Sequence, residues 1–390
     1  MENVLARYKR PIKSIADPKV DVSYWEDAID FFEEKEFKKS VVATLNYINP
    51  NLLKDKDISN DFEIIQMQGS AEIHVQVTNS TFKVRSPFLK ITDKTNRIAL
   101  LRKIAEVNFS PLTLVQIVLN ENELWFEYKM PISVCQPNKV YDVLREVFVN
   151  ADRLDDEFIE NYKASFYKEP KITPLSSSEQ EEVWSQISNI FEDYINYTQF
   201  FKDKRWTAYQ WDIIVISLLK LSNMPYIQGV LRSDLIEKID LLFNGDIDFN
   251  HRVNKGVNYM KDLVKTSKET IMKDVYHSEQ FISLRWRSSE QIVKDRLTYN
   301  LKQVEKYEKE ESYFNLSYYL QFILLKLIFD YNLEDSYKKA IEDVLEDVAG
   351  LNPVDAAPKL VKVYYALQTG TINKNEEKKE KKGFFSKLFN

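Results

Sequence analysis

The stretch Asp246-x-Asp248-x-Asn250 opens like a calcium loop, in which alternate oxygen-bearing side chains turn toward one cation. The match then fails. Such a loop needs Gly at its sixth position and Glu at its twelfth, and His251 and Val257 stand there. An acidic turn between two helices accounts for these residues. His251 and His277 are far apart in sequence and have no acidic partner at ligand spacing. His74 alternates with Ile73 and Val75, which puts it on the polar face of a strand. Cys135 lies between a strand and a helix N-terminus, a place that can lower a thiol pKa. With no histidine near it in sequence, it reads as a structural cysteine. No Gly-x-Ser-x-Gly elbow is present to carry a nucleophilic serine. The carboxylates of Asp155, Asp156 and Glu157, and of Glu179, Glu181 and Glu182, fall in first turns or on polar helix faces, where solvated charge is the ordinary state. Arg285 and Arg287, with Arg232 and Arg252, could make a basic aromatic patch around Trp286. On one helix the first two would point ~200° apart, which argues against a shared patch.

Composition agrees with this shortage of chemistry. The 390 residues include 7 glycines, where average usage gives roughly 27. Loops that cradle phosphates or turn under a dinucleotide need more. Three histidines and one cysteine supply no zinc set and no intrachain disulfide. No metal or cofactor is expected, and the chain is expected not to be an enzyme. The net charge of −6 gives no reason to expect nucleic acid. No stretch of ~18 apolar residues is present. The densest run, Tyr318–Phe329, is broken by Gln321 and Lys326. The basic start of the chain, with Arg7, Lys9, Arg10 and Lys13, lacks the apolar core of a secretory signal. A cytoplasmic location is expected, and the abundance of Ile, Asn, Lys and Tyr suggests an AT-rich bacterial genome.

The most pointed candidate for function is at the C-terminus. Phe384, Phe385, Leu388 and Phe389 stand at i, i+1, i+4 and i+5, one face of a short helix. Lys381, Lys382 and Lys387 add positive charge. The stretch before them, 373–382, is charged and lacks apolar residues. Residues 370–390 are therefore expected to be a flexible tail with an amphipathic docking peptide.

Periodicity gives the elements that precede it. Residues 1–21 read as an irregular arm, with Pro11 and Pro18 blocking regular structure. Residues 22–60 read as a helical hairpin carrying Trp25, Ala28, Phe32, Val41 and Leu45. Residues 61–165 read β-β-α-β-β-α, with a further strand near Phe88–Ile91. Alternation is clearest in Ile73–Val77 and in Leu124–Met130, and Ile98, Leu101, Ile104, Ala105 and Asn108 are expected on one face of the first helix. Two prolines and three serines make 166–178 a linker, and Ser178 with Glu181 fits a capping box. Residues 179–369 read as all-helical. Trp206–Ser222 is apolar nearly all round, Val253–His277 is a helix, and Ser278–Glu311 is one continuous helix. The expected fold is thus an α+β N-terminal domain, an antiparallel sheet with helices on one face, followed by an all-α helical bundle.

Within 61–165 the order and pattern resemble the type III secretion chaperone-like fold, and its YbjN-like branch. The helix Leu100–Asn108 precedes a hairpin whose second strand ends Tyr128-Lys-Met-Pro131. A long helix then runs through Ala151, Asp152, Leu154 and Phe158. The resemblance covers about a quarter of the chain and implies binding of protein segments, often as a dimer, with no catalytic residues. Two function classes follow. One is a cytoplasmic protein-binding adaptor or chaperone-like scaffold. Its partners would be proteins, a second copy of the chain among them. The other is a structural subunit of a membrane-proximal bacterial assembly, recruited through the tail, with weak peripheral contact at an anionic membrane surface.

Overall fold

The computed structural model describes residues 5–12, 23–69, 71–169, 173–278, 282–283 and 285–372. The chain forms two compact units, and each is discontinuous in sequence. The first contains residues 23–174 together with 276–283, and the second contains residues 5–12, 175–275 and 285–372.

The first unit is an α+β domain. Helices α1 (Ser23–Glu33) and α2 (Phe37–Ile48) form the expected hairpin. They are part of this domain, because Trp25, Val41, Leu45 and Tyr47 join its core. The sheet follows: β1 (Phe62–Gln68), β2 (Ala71–Val77), β3 (Thr81–Lys90), helix α3 (Arg97–Phe109), β4 (Gln116–Asn120) and β5 (Glu123–Pro131). Helix α4 (Pro137–Tyr162) begins with a proline at its first turn, where a missing N–H costs nothing. The strand order is β1-β2-β3-β5-β4, antiparallel throughout. The expected strand near Phe88 is the end of β3, which continues past an irregularity between Pro87 and Leu89.

Period-two alternation decides which side is covered. Ile64, Ile73, Val75, Val77, Phe82 and Val84 are buried, whereas Glu63, Glu72, His74, Lys83 and Arg85 fall on the other face. The covering layer includes α4, which packs on β2, β3 and β5, and α2 and α3, which pack on α4. Helix α3 is rotated from the sequence expectation. Leu100, Ile104 and Val107 are buried, while Ile98 is 69% and Phe109 is 90% exposed. Apolar residues lie all around this helix, so periodicity alone does not fix the inward face.

Three short strands complete the unit. Ser165–Phe166 (β6) pairs with β3, and Thr173–Pro174 (β7) pairs with Tyr276–His277 (β8). The expected linker is therefore partly strand, and the chain returns to this unit a hundred residues later. Ile282 is buried in its core.

The second unit is helical. It comprises α5 (Ser177–Asp203), α6 (Thr207–Ser222), α7 (Gly229–Phe243), α8 (Phe249–Lys265), α9 (Lys268–Ile271), α10 (Glu290–Lys309), α11 (Tyr313–Asp330), α12 (Asp335–Asp347) and α13 (Pro353–Gln368). A two-residue ladder, β9 (Trp286–Arg287) with β10 (Tyr331–Asn332), lies among them. Helices α6 and α11 are the centre. They pack on each other, with α5, α7 and α8 around α6 and α10, α12 and α13 around α11. Nine consecutive residues of α6, Ile213–Leu221, are buried.

Three sequence expectations change here. The box that opens α5 is Ser176 with Glu179, two residues earlier than expected. The expected helix Val253–His277 ends at Lys265, and a short helix and turn precede β8. The expected continuous helix over Ser278–Glu311 begins only at Glu290. There the Ser289 side chain caps it by accepting from Ile292 N at 3.2 Å. The residues expected in the irregular arm also have a defined place. Residues 5–12 carry no helix or strand, yet Leu5 and Ala6 are each 1% exposed in the helical core.

Candidate peptide-binding site

A segment without helix or strand that starts inside a helical core has no neighbouring strand to satisfy its main chain. Each buried N–H and C=O must then be met by side chains or by loop backbone. Around residues 5–12 the helical unit supplies both. The main chain of Leu5 pairs with the turn after α12: Leu5 N donates to Leu351 O at 2.8 Å, and Gly350 N donates to Leu5 O at 3.2 Å. Gly350 has φ +73°, a conformation that glycine adopts without strain, and it turns the chain there. From α11, Gln321 Nε2 donates to Ala6 O at 3.4 Å. From α5, Asp193 accepts Arg7 N at 2.6 Å and Arg7 Nε at 2.8 Å. From α6, Lys220 Nζ donates to Arg7 O at 2.6 Å. Further along, Gln186 Nε2 donates to Arg10 O at 3.3 Å, and Glu346 accepts Arg10 N at 2.7 Å.

Most of these side chains are themselves buried. Gln321 is 0%, Lys220 5% and Asp193 7% exposed. Two of them interrupt the most apolar helices of the chain, and the segment explains why. Lys220 would otherwise be a buried cation without an acceptor. Burial pulls its ammonium down to about 8, with Asp193 opposing the fall and Arg7 adding to it.

The side chains of the segment are sorted by chemistry. Leu5, Ala6, Tyr8 and Ile12 face the core. Arg7 pairs with Glu192 and Asp193, each at 2.8 Å, and donates to Asn189 Oδ1 at 3.0 Å. Lys9 pairs with Glu182 at 2.8 Å. Arg10 meets three acids of α12: Glu342 at 3.2 Å, Asp343, and Glu346 at 3.4 Å. Burial opposes the charge on Arg7, but its hydrogen bonds to Glu192 and Asp193 outweigh that and raise its pKa. Burial raises the Glu342 carboxyl, and Lys338 and Arg10 pull the other way. The Tyr8 phenol is pushed up by burial beside Glu342 and Glu346.

The residues singled out from sequence have other places. Phe384, Phe385, Leu388 and Phe389 lie outside the described residues. Asp248 caps α8 by accepting from His251 N at 3.0 Å, so the calcium-like opening is a helix cap. His74 sits between Glu72 and Glu63 on the polar face of the sheet, at 3.1 and 3.6 Å. The Cys135 thiol is buried and pushed up to about 12 by burial. It donates to Pro131 O at 3.4 Å, which makes it a poor nucleophile. Three of the arginines bond to amide or main-chain oxygens. Arg232 donates to Gln228 at 2.8 Å, Arg252 to Leu242 O at 2.8 Å and Arg285 to Asn223 at 3.4 Å. Among the described residues no group of three or more His, Cys, Asp or Glu is placed to hold a metal ion. No described helix is long and apolar enough to cross a membrane.

Compared with protein-family models, with curated proteins and with solved structures, the chain matches none.

Proposed function

We propose that the chain is a non-enzymatic adaptor, a chaperone-like scaffold that binds extended segments of other proteins. One observation carries this reading: buried Asp193, Lys220 and Gln321 bond the main chain of residues 5–12. Main-chain recognition tolerates varied side chains, and the acidic rim selects for basic ones. The α+β unit supports the same reading through its resemblance to the type III secretion chaperone-like and YbjN-like fold, whose members bind protein segments.

The test is affinity purification of the full chain from its native cell, with chemical cross-links mapped by mass spectrometry. A reproducible protein partner cross-linked through an extended segment is the expected result. A chain that recovers no protein, and instead turns over a small molecule present in the extract, overturns the reading.

A further inference from the structure

Residues 5–12 stand to the helical unit as a ligand stands to a receptor. Among the described residues their bonds run to positions from Glu182 to Leu351, all distant in sequence. Glu182 and Glu192 of α5 and Glu342, Asp343 and Glu346 of α12 offer far more negative charge than one arginine needs, and three basic side chains of the segment fill it. The apolar part is equally specific. Leu5 and Ala6 are fully enclosed and followed at once by Arg7, and Arg10 comes three residues on.

We infer that this is a binding site for a basic extended peptide of the form Leu-Ala-Arg-x-x-Arg, and that residues 5–12 fill it as an intramolecular occupant. The inference rests on the adaptor reading above and adds to it the class of ligand and a control on access. The occupant is covalently attached, so its effective concentration is on the order of millimolar. A separate peptide making the same contacts binds the free site readily and the filled site poorly. Access to a partner segment therefore depends on weakening the hold on Arg7 and Arg10. Those two residues can be altered without touching the receiving side chains.

The probe is an acetylated, amidated, dye-labelled peptide with the sequence of residues 5–12, titrated against the full chain. The variant is Arg7→Glu with Arg10→Glu, its fold checked by circular dichroism. The variant is expected to bind the peptide at least about tenfold more tightly than the unaltered chain. A second peptide with Glu at both arginine positions is expected not to bind it. Equal affinity of the two proteins for the first peptide, or no binding to a folded variant, overturns the inference. If the double variant does not fold, Arg10→Gln alone carries the test, with a gain of about threefold expected and no gain overturning it. A dimer of the unaltered chain that the peptide dissociates also overturns intramolecular occupancy, in favour of exchange of this segment between copies. Partner cross-links that fall outside α5, α6, α11 and α12, with no peptide binding, remove this inference and leave the adaptor reading standing.

Discussion

Gln68 pairs with the main chain of Ile282 in both directions: its Oε1 accepts from Ile282 N at 3.1 Å, and its Nε2 donates to Ile282 O at 3.3 Å. The side-chain amide thus does what a neighbouring strand would do, at a residue 1% exposed. This is how a segment from the helical part of the sequence is fixed in the α+β core. Gln68→Ala leaves a buried N–H and C=O unpaired. Each such group costs about 1–3 kcal/mol, so a loss of about 2–6 kcal/mol is expected. Urea unfolding of the variant checks it. A change below about 0.5 kcal/mol would show that water replaces the amide.

Because each unit holds a segment from the far side of the other in sequence, a cut between them should not separate them. Lys168 is largely exposed, paired only at its tip with Glu72 at 2.8 Å, and offers trypsin a site. After one cut there, the N-terminal fragment still carries residues 5–12, seated in the helical unit, and the C-terminal fragment still carries Ile282. The two fragments are expected to co-elute in native size exclusion and to part only in denaturant. Separation without denaturant would mean that these segments hold weakly.

Much of this was legible in sequence, and the parts that were not share a cause. Alternation in Ile73–Val77 marked the sheet because one face is wet and the other dry. The stretch 166–178, rich in Pro and Ser, contains the passage between the two units, which falls between Pro174 and Leu175. What stayed hidden were segments packed into the more distant unit, since local periodicity carries no address. Ile282 and Trp286 happen to fall four apart, and the stripe through Val293 and Leu297 drew them into a helix that starts at Glu290. The Ser288-Ser289-Glu290 sequence was the stop sign. For the site, the signal was a polar residue where none belongs, Gln321 in an apolar run and Lys220 inside α6. Such a residue announces a buried partner without naming it. In sequence the basic start of the chain shows charge without the apolar core of a secretory signal, and the partner of Arg10 N lies 336 residues away.

Asp212 gives the stability a pH dependence. Burial alone raises its carboxyl from 3.8 to about 7, and Tyr209, Tyr307 and Tyr318 are near enough to feel its charge. Between pH about 4 and 7 the folded chain keeps a proton that the unfolded chain has lost. Stability therefore falls as pH rises through that window and levels off above it. Asp212→Asn is neutral at every pH. It is expected to add about 2 kcal/mol at pH 8 and almost nothing at pH 4. Paired thermal melts at the two pH values decide this. An equal effect at both would assign the change to packing.

The last prediction concerns Phe384, Phe385, Leu388 and Phe389, which stand outside the described residues and are argued from sequence. Three phenylalanines and a leucine within six residues are a solubility liability unless something covers them. Burying four such side chains gains at most ~6–12 kcal/mol. Ordering some six residues costs on the order of 1–2 kcal/mol each, which takes back most of it. Docking through this face is therefore weak and reversible. Protein is the favoured surface, because Glu376, Glu377 and Glu380 dilute the lysines that an anionic membrane would attract. Phe385→Asp with Phe389→Asp is expected to weaken the native complex about tenfold or more and to leave the melting temperature within about a degree. Co-purification and sedimentation with anionic vesicles separate the cases. An unchanged complex would remove the tail as a docking element, and loss of vesicle binding with retained protein partners would give it to the membrane.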